Sequence, residues 1–268
     1  MLTSRDLNRM RKTVKREIRD NGVRGFLSAM QQRISFERQL FPYRKIKSID
    51  LDGCTFDLGR LPNFPTKLLL LNKTYEDLER RAVHQFIRPE LPVIELGACI
   101  GVVACITNKL LHDPSAHVVV EANPNVLPHL NGNRVRNHCE FEVLNAAVAY
   151  DRESVTFVPD PYILSNSVEK VNGGEPVTVK TTRLREIISR RKFKSFTLIC
   201  DIEGHEYDLV QHEADVLAHA DTIILETHAR IIGEPKTLEM LDTLKQLGFR
   251  TVKQDSFVYV LGRSAEAD

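Results

Sequence analysis

Glu95-Leu96-Gly97-Ala98-Cys99-Ile100-Gly101 sets two glycines four residues apart, directly after an apolar run. Glycine at these places permits a tight turn and a close backbone approach. About twenty residues beyond the loop stands Glu121, closing another apolar run. An acid at that offset can accept hydrogen bonds from both hydroxyls of a ribose. Loop and acid together point to an adenosine-bearing cofactor. Dinucleotide sites read G-x-G-x-x-G, but Cys99 stands where the second glycine would lie. The E-x-G-x-x-x-G form has no pyrophosphate to cradle. The plain alternative is a tight strand–helix turn without a ligand.

Two further clusters carry chemistry. In Asp201-Ile202-Glu203-Gly204-His205-Glu206, Asp201 and Glu203 flank one residue and on extended chain point the same way. Paired carboxylates suit a general base or a hard cation. The plainer alternative has Asp201 orienting the cofactor, with Glu203 and Glu206 favouring a helix N-terminus. In Glu226-Thr227-His228 the acid and the histidine also share a side. His228 beside carboxylates could accept a proton near neutral pH; otherwise it is a surface histidine. No G-x-S-x-G nucleophile elbow occurs.

These clusters sit at strand ends. The pattern predicts strands over Pro92–Leu96, His117–Glu121, Phe141–Val148, Ser154–Val158, Val177–Thr181, Phe196–Asp201 and Thr222–Glu226. Helices are predicted over Tyr75–Ile87 with Thr74 as cap, Gly101–Leu111, Pro124–Asn137, Leu184–Arg191, Glu206–Leu217 and Thr237–Leu247. Strands alternating with helices mean a mostly parallel α/β sheet with helices on both faces. Continuous apolar runs such as Val93–Leu96 suit strands buried on both sides. Arg250–Gln254 and Phe257–Leu261 are expected to close the sheet as an antiparallel hairpin, a feature of methyltransferases rather than dehydrogenases. Ahead of this domain, Lys47–Leu58 and Lys67–Asn72 read as strand pieces. The polar loop Pro159–Pro176 offers Ser165, Asn166 and Ser167 as sugar contacts.

The 268 residues suffice for one large domain and an extension, divided here as 1–72 and 73–268. Hydrophobic residues make up 42% and net charge is +1, so no overall field argues for nucleic acid. Five cysteines without a C-x-x-C pair exclude a zinc ribbon and point to a reducing, cytoplasmic setting. Charge is uneven, however. Leu7, Met10, Val14 and Ile18 recur at helical spacing through a basic stretch, Arg5 to Lys47. This extension is either an accessory helix docked on the domain or a peripheral contact with a membrane surface or acidic partner. Oligomeric state is not legible.

From Tyr75 to Gly262 the chain resembles the FkbM family of methyltransferases. The resemblance is carried by Tyr75-Glu76, E-L-G-A-C-I-G, E-A-N-P (Glu121 to Pro124), L-N-A-A-V (Leu144 to Val148), D-I-E-G-H-E and E-T-H. It implies a Rossmann-like methyltransferase sheet and S-adenosylmethionine as methyl donor, with transfer to a hydroxyl of a sugar, glycan or related metabolite. It implies a cofactor site of Tyr75, Glu95, Gly97, Ala98, Gly101, Glu121, Ala122, Asn145 and Ala146. Of these, Gly97, Ala98 and Gly101 would line the methionine side, Glu121 would hold the ribose, and Asn145 and Ala146 would flank the adenine. Asp201 or His228 is the expected base, with Glu203 orienting; no resident metal is assigned. Two positions depart from the family pattern. Ile199 replaces a common lysine, and Glu95 an aspartate. A cofactor-binding protein without catalysis and a nicotinamide-dependent oxidoreductase are the competing readings.

Overall fold

The computed structural model describes residues 45–59, 61, 64–159 and 175–263. The expected basic helix and the sugar-contact serines lie outside these residues. Described elements begin with β1 (Ser48–Leu51) and β2 (Cys54–Asp57), paired antiparallel across the turn at Asp52-Gly53. Then come α1 (Phe64–Leu71), α2 (Asp77–Phe86), β3 (Val93–Leu96), α3 (Val102–Leu110), β4 (His117–Glu121), α4 (Leu127–Arg136) and β5 (Glu142–Asn145). Next are β6 (Ala147–Val148), β7 (Ser154–Phe157), β8 (Val177–Thr182), α5 (Leu184–Arg191), β9 (Phe196–Cys200) and α6 (Glu206–Leu217). The described part ends with β10 (Ala220–Glu226), α7 (Ala229–Ile232), α8 (Glu234–Gln246), β11 (Phe249–Asp255) and β12 (Val258–Arg263).

Seven strands form the main sheet in the order β11-β12-β10-β9-β3-β4-β5. Pairings from β10 through β5 are parallel; β12 runs antiparallel to both β10 and β11. This is the Rossmann-like methyltransferase arrangement with its closing hairpin. Strand order reverses at β3, with β4 on one side and β9 on the other. The crevice at the carboxyl end of such a switch is where α/β sheets take ligands.

Alternation along the buried central strands divides the core between two faces. Val93, Val119, Ile199 and Ile224 pack with α2, α3 and the β1–β2 hairpin. Ile94, Leu96, Val118, Leu198 and Ile223 pack with α5, α6 and α8. Truncating a fully buried leucine here, such as Leu96 or Leu184, would cost roughly 2–5 kcal/mol.

Several expectations need correction. Lys67–Asn72 is not a strand; Phe64–Leu71 is helical. Thr74 does not cap α2. Its hydroxyl donates to the Leu69 carbonyl, and Glu76 in left-handed conformation precedes the helix. The strand expected over 141–148 is split. Asn145 ends β5, while β6 joins a separate sheet of order β6-β8-β7. The compact unit of the described residues starts at Ser48. Within it, backbone N–H groups of Thr55 and Asp57 donate to Asn137 and Asn133 of the α4 region. Among the described residues no helix is long and apolar enough to cross a membrane.

Candidate active site

Parallel register aligns the exits of the central strands. Leu96 lies opposite Val120 and Cys200, and Glu121 opposite Asn145. The residues that follow therefore ring one crevice. It opens into a cavity of about 550 Å³, within the size range of small-molecule sites.

The glycine loop is tied to β4 by the N–H groups of Gly97 and Ala98, which donate to the Val120 carbonyl. Gly97 has φ +88°, and a Cβ there would lie 1.6 Å from the Asp201 carbonyl oxygen. This glycine is thus required by the approach of β3 to β9. Gly101, φ +78°, is closed in by Leu130, 2.8 Å from where a Cβ would stand. It brings α3 against α4. Between them Cys99 is left-handed (φ 47°), and its N–H donates to Glu121 Oε2 at 2.7 Å.

Glu121 is 2% exposed. Its Oε1 accepts the Asn123 N–H at 2.6 Å, and the Ala122 N–H also donates to the carboxylate. Burial raises its pKa to about 7, against the pull of those backbone donors. Tyr75, Gly97, Glu121, Ala122 and Ala146 line the cavity. Glu95, Ala98, Gly101 and Asn145 do not. Asn145 instead donates to the carbonyls of Glu121 and Ala122, fastening β5 to the exit of β4. Glu95 points into the core, where Oε2 lies 3.4 Å from His117 Nε2. Burial raises Glu95 to about 8 and lowers His117 to about 3, so both are neutral at pH 7.

Asp201 and Glu203 line the same cavity, but their convergence is not that of a strand. Glu203 has φ 52° in a turn. Glu206, fully buried, holds that turn by accepting the N–H groups of Ile202 and Gly204. It also lies 2.9 Å from His228 Nδ1. Glu206 is therefore more than an acid at a helix start; it fixes both turn and imidazole. On its other side, His228 Nε2 stands 3.6 Å from Asp201 Oδ1, 3.4 Å from Glu203 Oε2 and 3.5 Å from Glu226 Oε1. His228 is not a surface residue, being 12% exposed. Burial lowers its pKa, but the Glu206 hydrogen bond and the charges of Glu206, Asp201 and Glu203 outweigh this and raise it to about 9. Burial drives the Asp201 carboxyl well above the ordinary range, only partly offset by His228.

Sequence reasoning missed Glu79 as a site residue. It is 6% exposed, lines the cavity, and its Oε1 has no hydrogen-bond partner. Its spacing to Ala82, Val83 and Phe86 placed an acid on the apolar face of α2, a legible signal. Glu76 and Glu226 add two more carboxylates, against Arg152 as the one Arg or Lys among the described lining residues. Burial raises the carboxyls of Glu76 and Glu226, the latter to about 10, so the wall offers a pyrophosphate acceptors rather than cationic partners and ionises fully only against a cationic ligand. S-Adenosylmethionine carries a sulfonium, an ammonium and a ribose diol, which this set of acceptors fits.

The pattern of the FkbM methyltransferase domain matches residues 95–251. The hexuronic acid methyltransferase AglP of Haloferax volcanii is 26% identical over 172 residues, covering 63% of this chain and 69% of that protein. Among solved structures, the ribosomal protein L11 methylase of Lactobacillus delbrueckii subsp. bulgaricus matches at 11% identity, with a TM-score of 0.42, over 72% of this chain and 80% of that one. Aeropyrum pernix fibrillarin with natively bound S-adenosyl-L-methionine matches at 12% identity and a TM-score of 0.40, over 69% and 73%. At such scores these two carry no argument about the site.

Proposed function

This chain belongs to the FkbM methyltransferase family, and from that premise we propose that it methylates a hydroxyl of a sugar or glycan, with Asp201 as the proton acceptor. It is an S-adenosylmethionine-dependent methyltransferase. The cofactor, once bound, supplies a methyl group already activated on a sulfonium. In our reading Glu121 takes the ribose hydroxyls, Ala146 packs against the adenine, and the carboxylates of the wall balance the cationic end. The acceptor hydroxyl then needs alignment and a place for its proton; alignment supplies much of the rate.

One observation favours Asp201 for that place. Asp201 lines the cavity that Glu121 also lines, and its Oδ1 has no hydrogen-bond partner. His228 is less suited, because it does not line the cavity and stands behind Asp201 and Glu203. Its position serves to orient them. A sugar acceptor is supported by the relative named for a hexuronic acid. The acidic wall weighs against a nicotinamide dinucleotide.

The test is methyl transfer from labelled cofactor to a panel of neutral and acidic sugars. The parent protein should transfer. Asp201→Asn should lose about 10²–10⁴ in rate, while its affinity for S-adenosylhomocysteine stays within about threefold. A parent that binds cofactor but methylates nothing in the panel would return the chain to the binding-protein reading. Measurable affinity for NAD would reopen the oxidoreductase one.

A further inference from the structure

We propose that Asp201, Glu203 and His228 hold one divalent transition-metal cation at the wall of the cofactor cavity. The inference rests on the methyltransferase reading of this site and adds how the acceptor hydroxyl is activated.

Geometry carries it first. The three residues each offer a ligand atom, and these atoms lie within 4.8 Å of one another. Nε2 of His228 is 3.4 Å from Glu203 Oε2 and 3.6 Å from Asp201 Oδ1. Both separations exceed the ~2.7–3.2 Å of an N–H···O hydrogen bond. They leave room for an ion, the edge of a ligand tetrahedron being about 3.4 Å when each metal–ligand bond is about 2.1 Å. Unlike at Glu95 and His117, two carboxylates here converge on one ring nitrogen. The other ring nitrogen supplies the orientation. Nδ1 is 2.9 Å from Glu206 Oε1, and Glu206 is fully buried and held by the N–H groups of Ile202 and Gly204. A hydrogen on Nδ1 directed at that carboxylate leaves Nε2 as a lone pair facing Asp201 and Glu203. Metal-binding histidines are fixed by this device.

A second, separate observation points to a cation. Glu79 lies outside the triad, is 6% exposed, and lines the same cavity with Oε1 unpartnered. Its carboxyl also meets that of Glu226 through a side-chain hydrogen bond, and two such buried acids are costly to ionise unless a positive charge stands near. One imidazole with two carboxylates suits Mn²⁺ or Zn²⁺ better than Mg²⁺, which favours oxygen ligands. Three protein ligands leave a position open, as catalytic sites do. The acceptor hydroxyl oxygen would take it and become more acidic. Its proton passes to the Asp201 oxygen that does not hold the ion. The oxygen forms its bond to the methyl carbon as the carbon–sulfur bond breaks, and that electron pair stays on the sulfur as a neutral thioether. Nothing is oxidised or reduced.

The test uses the full chain stripped of metal with chelator and titrated with Mn²⁺, Zn²⁺ and Mg²⁺. Mn²⁺ is followed by its free-ion paramagnetic resonance signal, and Zn²⁺ by competition with a chromophoric chelator. One Mn²⁺ or Zn²⁺ per chain is expected, with Mg²⁺ weaker. Glu203→Gln and His228→Ala should each weaken binding by more than the ~10–100-fold that outer-shell changes cost. Glu203→Gln keeps the shape of a partly exposed side chain, so it serves if the histidine variant fails to fold. No stoichiometric ion, or equal binding by parent and both variants, overturns the site. Full methyl transfer by stripped protein overturns the ion and leaves the sugar acceptor standing. A stoichiometric, variant-sensitive ion with no sugar methylated supports the ion and removes the acceptor.

Discussion

Glu95 with His117, and Asp201 and Glu203 with His228, are two meetings of carboxylate and imidazole only a few residues apart on neighbouring strands. In each, oxygen and ring nitrogen stand 3.4–3.6 Å apart. The first is sealed in the core between β3 and β4, with His117 fully buried. Neither of its partners is charged at neutral pH, because burial disfavours the charged form of each. The second opens on the cavity, and a buried third carboxylate, Glu206, holds the far side of the ring. There, with no ion bound, Glu206 and the neighbouring carboxylates raise the imidazole pKa to about 9. Residue type is shared; access and the buried clamp differ. Chemistry at the mouth of this sheet is therefore a matter of what stands behind the histidine, not of having one.

The largest effect that would sharpen this contrast comes from the glycine separating the two regions. Gly97→Ala forces a Cβ against the Asp201 carbonyl, which is backbone and cannot swing aside. It should cost at least ~4 kcal/mol in denaturant unfolding, taking cofactor binding with it. A stable variant that merely binds cofactor less well would support the view of Gly97 as room for a ligand.

Next in size is the ribose acid. Glu121→Ala should weaken S-adenosylhomocysteine binding by roughly 2–4 kcal/mol in calorimetry; Glu121→Gln, which keeps one acceptor, should cost less. Its pKa of about 7 gives a sign as well. The ionised form accepts the ribose hydroxyls, so affinity should fall as pH drops below about 7 and stay level above it. Affinity independent of both residue and pH would remove Glu121 from the site.

A further effect tests the sealed pair. Glu95 has a folded pKa near 8, raised by burial from 4.5. Its contribution to stability is present below about pH 4.5 and is lost as pH rises towards 8. Glu95→Gln removes that loss. Relative to the parent it should gain on the order of 4 kcal/mol between pH 5 and pH 8.5. Parallel unfolding curves at both pH values would mean Glu95 is not the sealed acid described here.

Much of this was legible in the sequence. The ends of β4, α5 and α6 fall where composition and capping put them, because their apolar periodicity is unambiguous. The run Leu68–Leu71 was not legible, since four consecutive leucines fit a buried strand or a helix equally well. At the site, Asp201, Glu203 and His228 were brought together by spacing, though the turn at Glu203 does it rather than a pleat. Glu95 stands away from the cavity for a physical reason. A motif records that an acid follows an apolar run but not which face of the strand it takes, and here that face is the core.

Single-turnover methyl transfer at saturating cofactor, compared between Asp201→Asn and Glu95→Gln, tests the account most directly. The mouth of the sheet, not its core, is predicted to carry the chemistry. Asp201→Asn should fall by about 10²–10⁴, and Glu95→Gln should stay within about threefold of the parent. Comparable losses in the two variants, or an unimpaired Asp201→Asn, would contradict it.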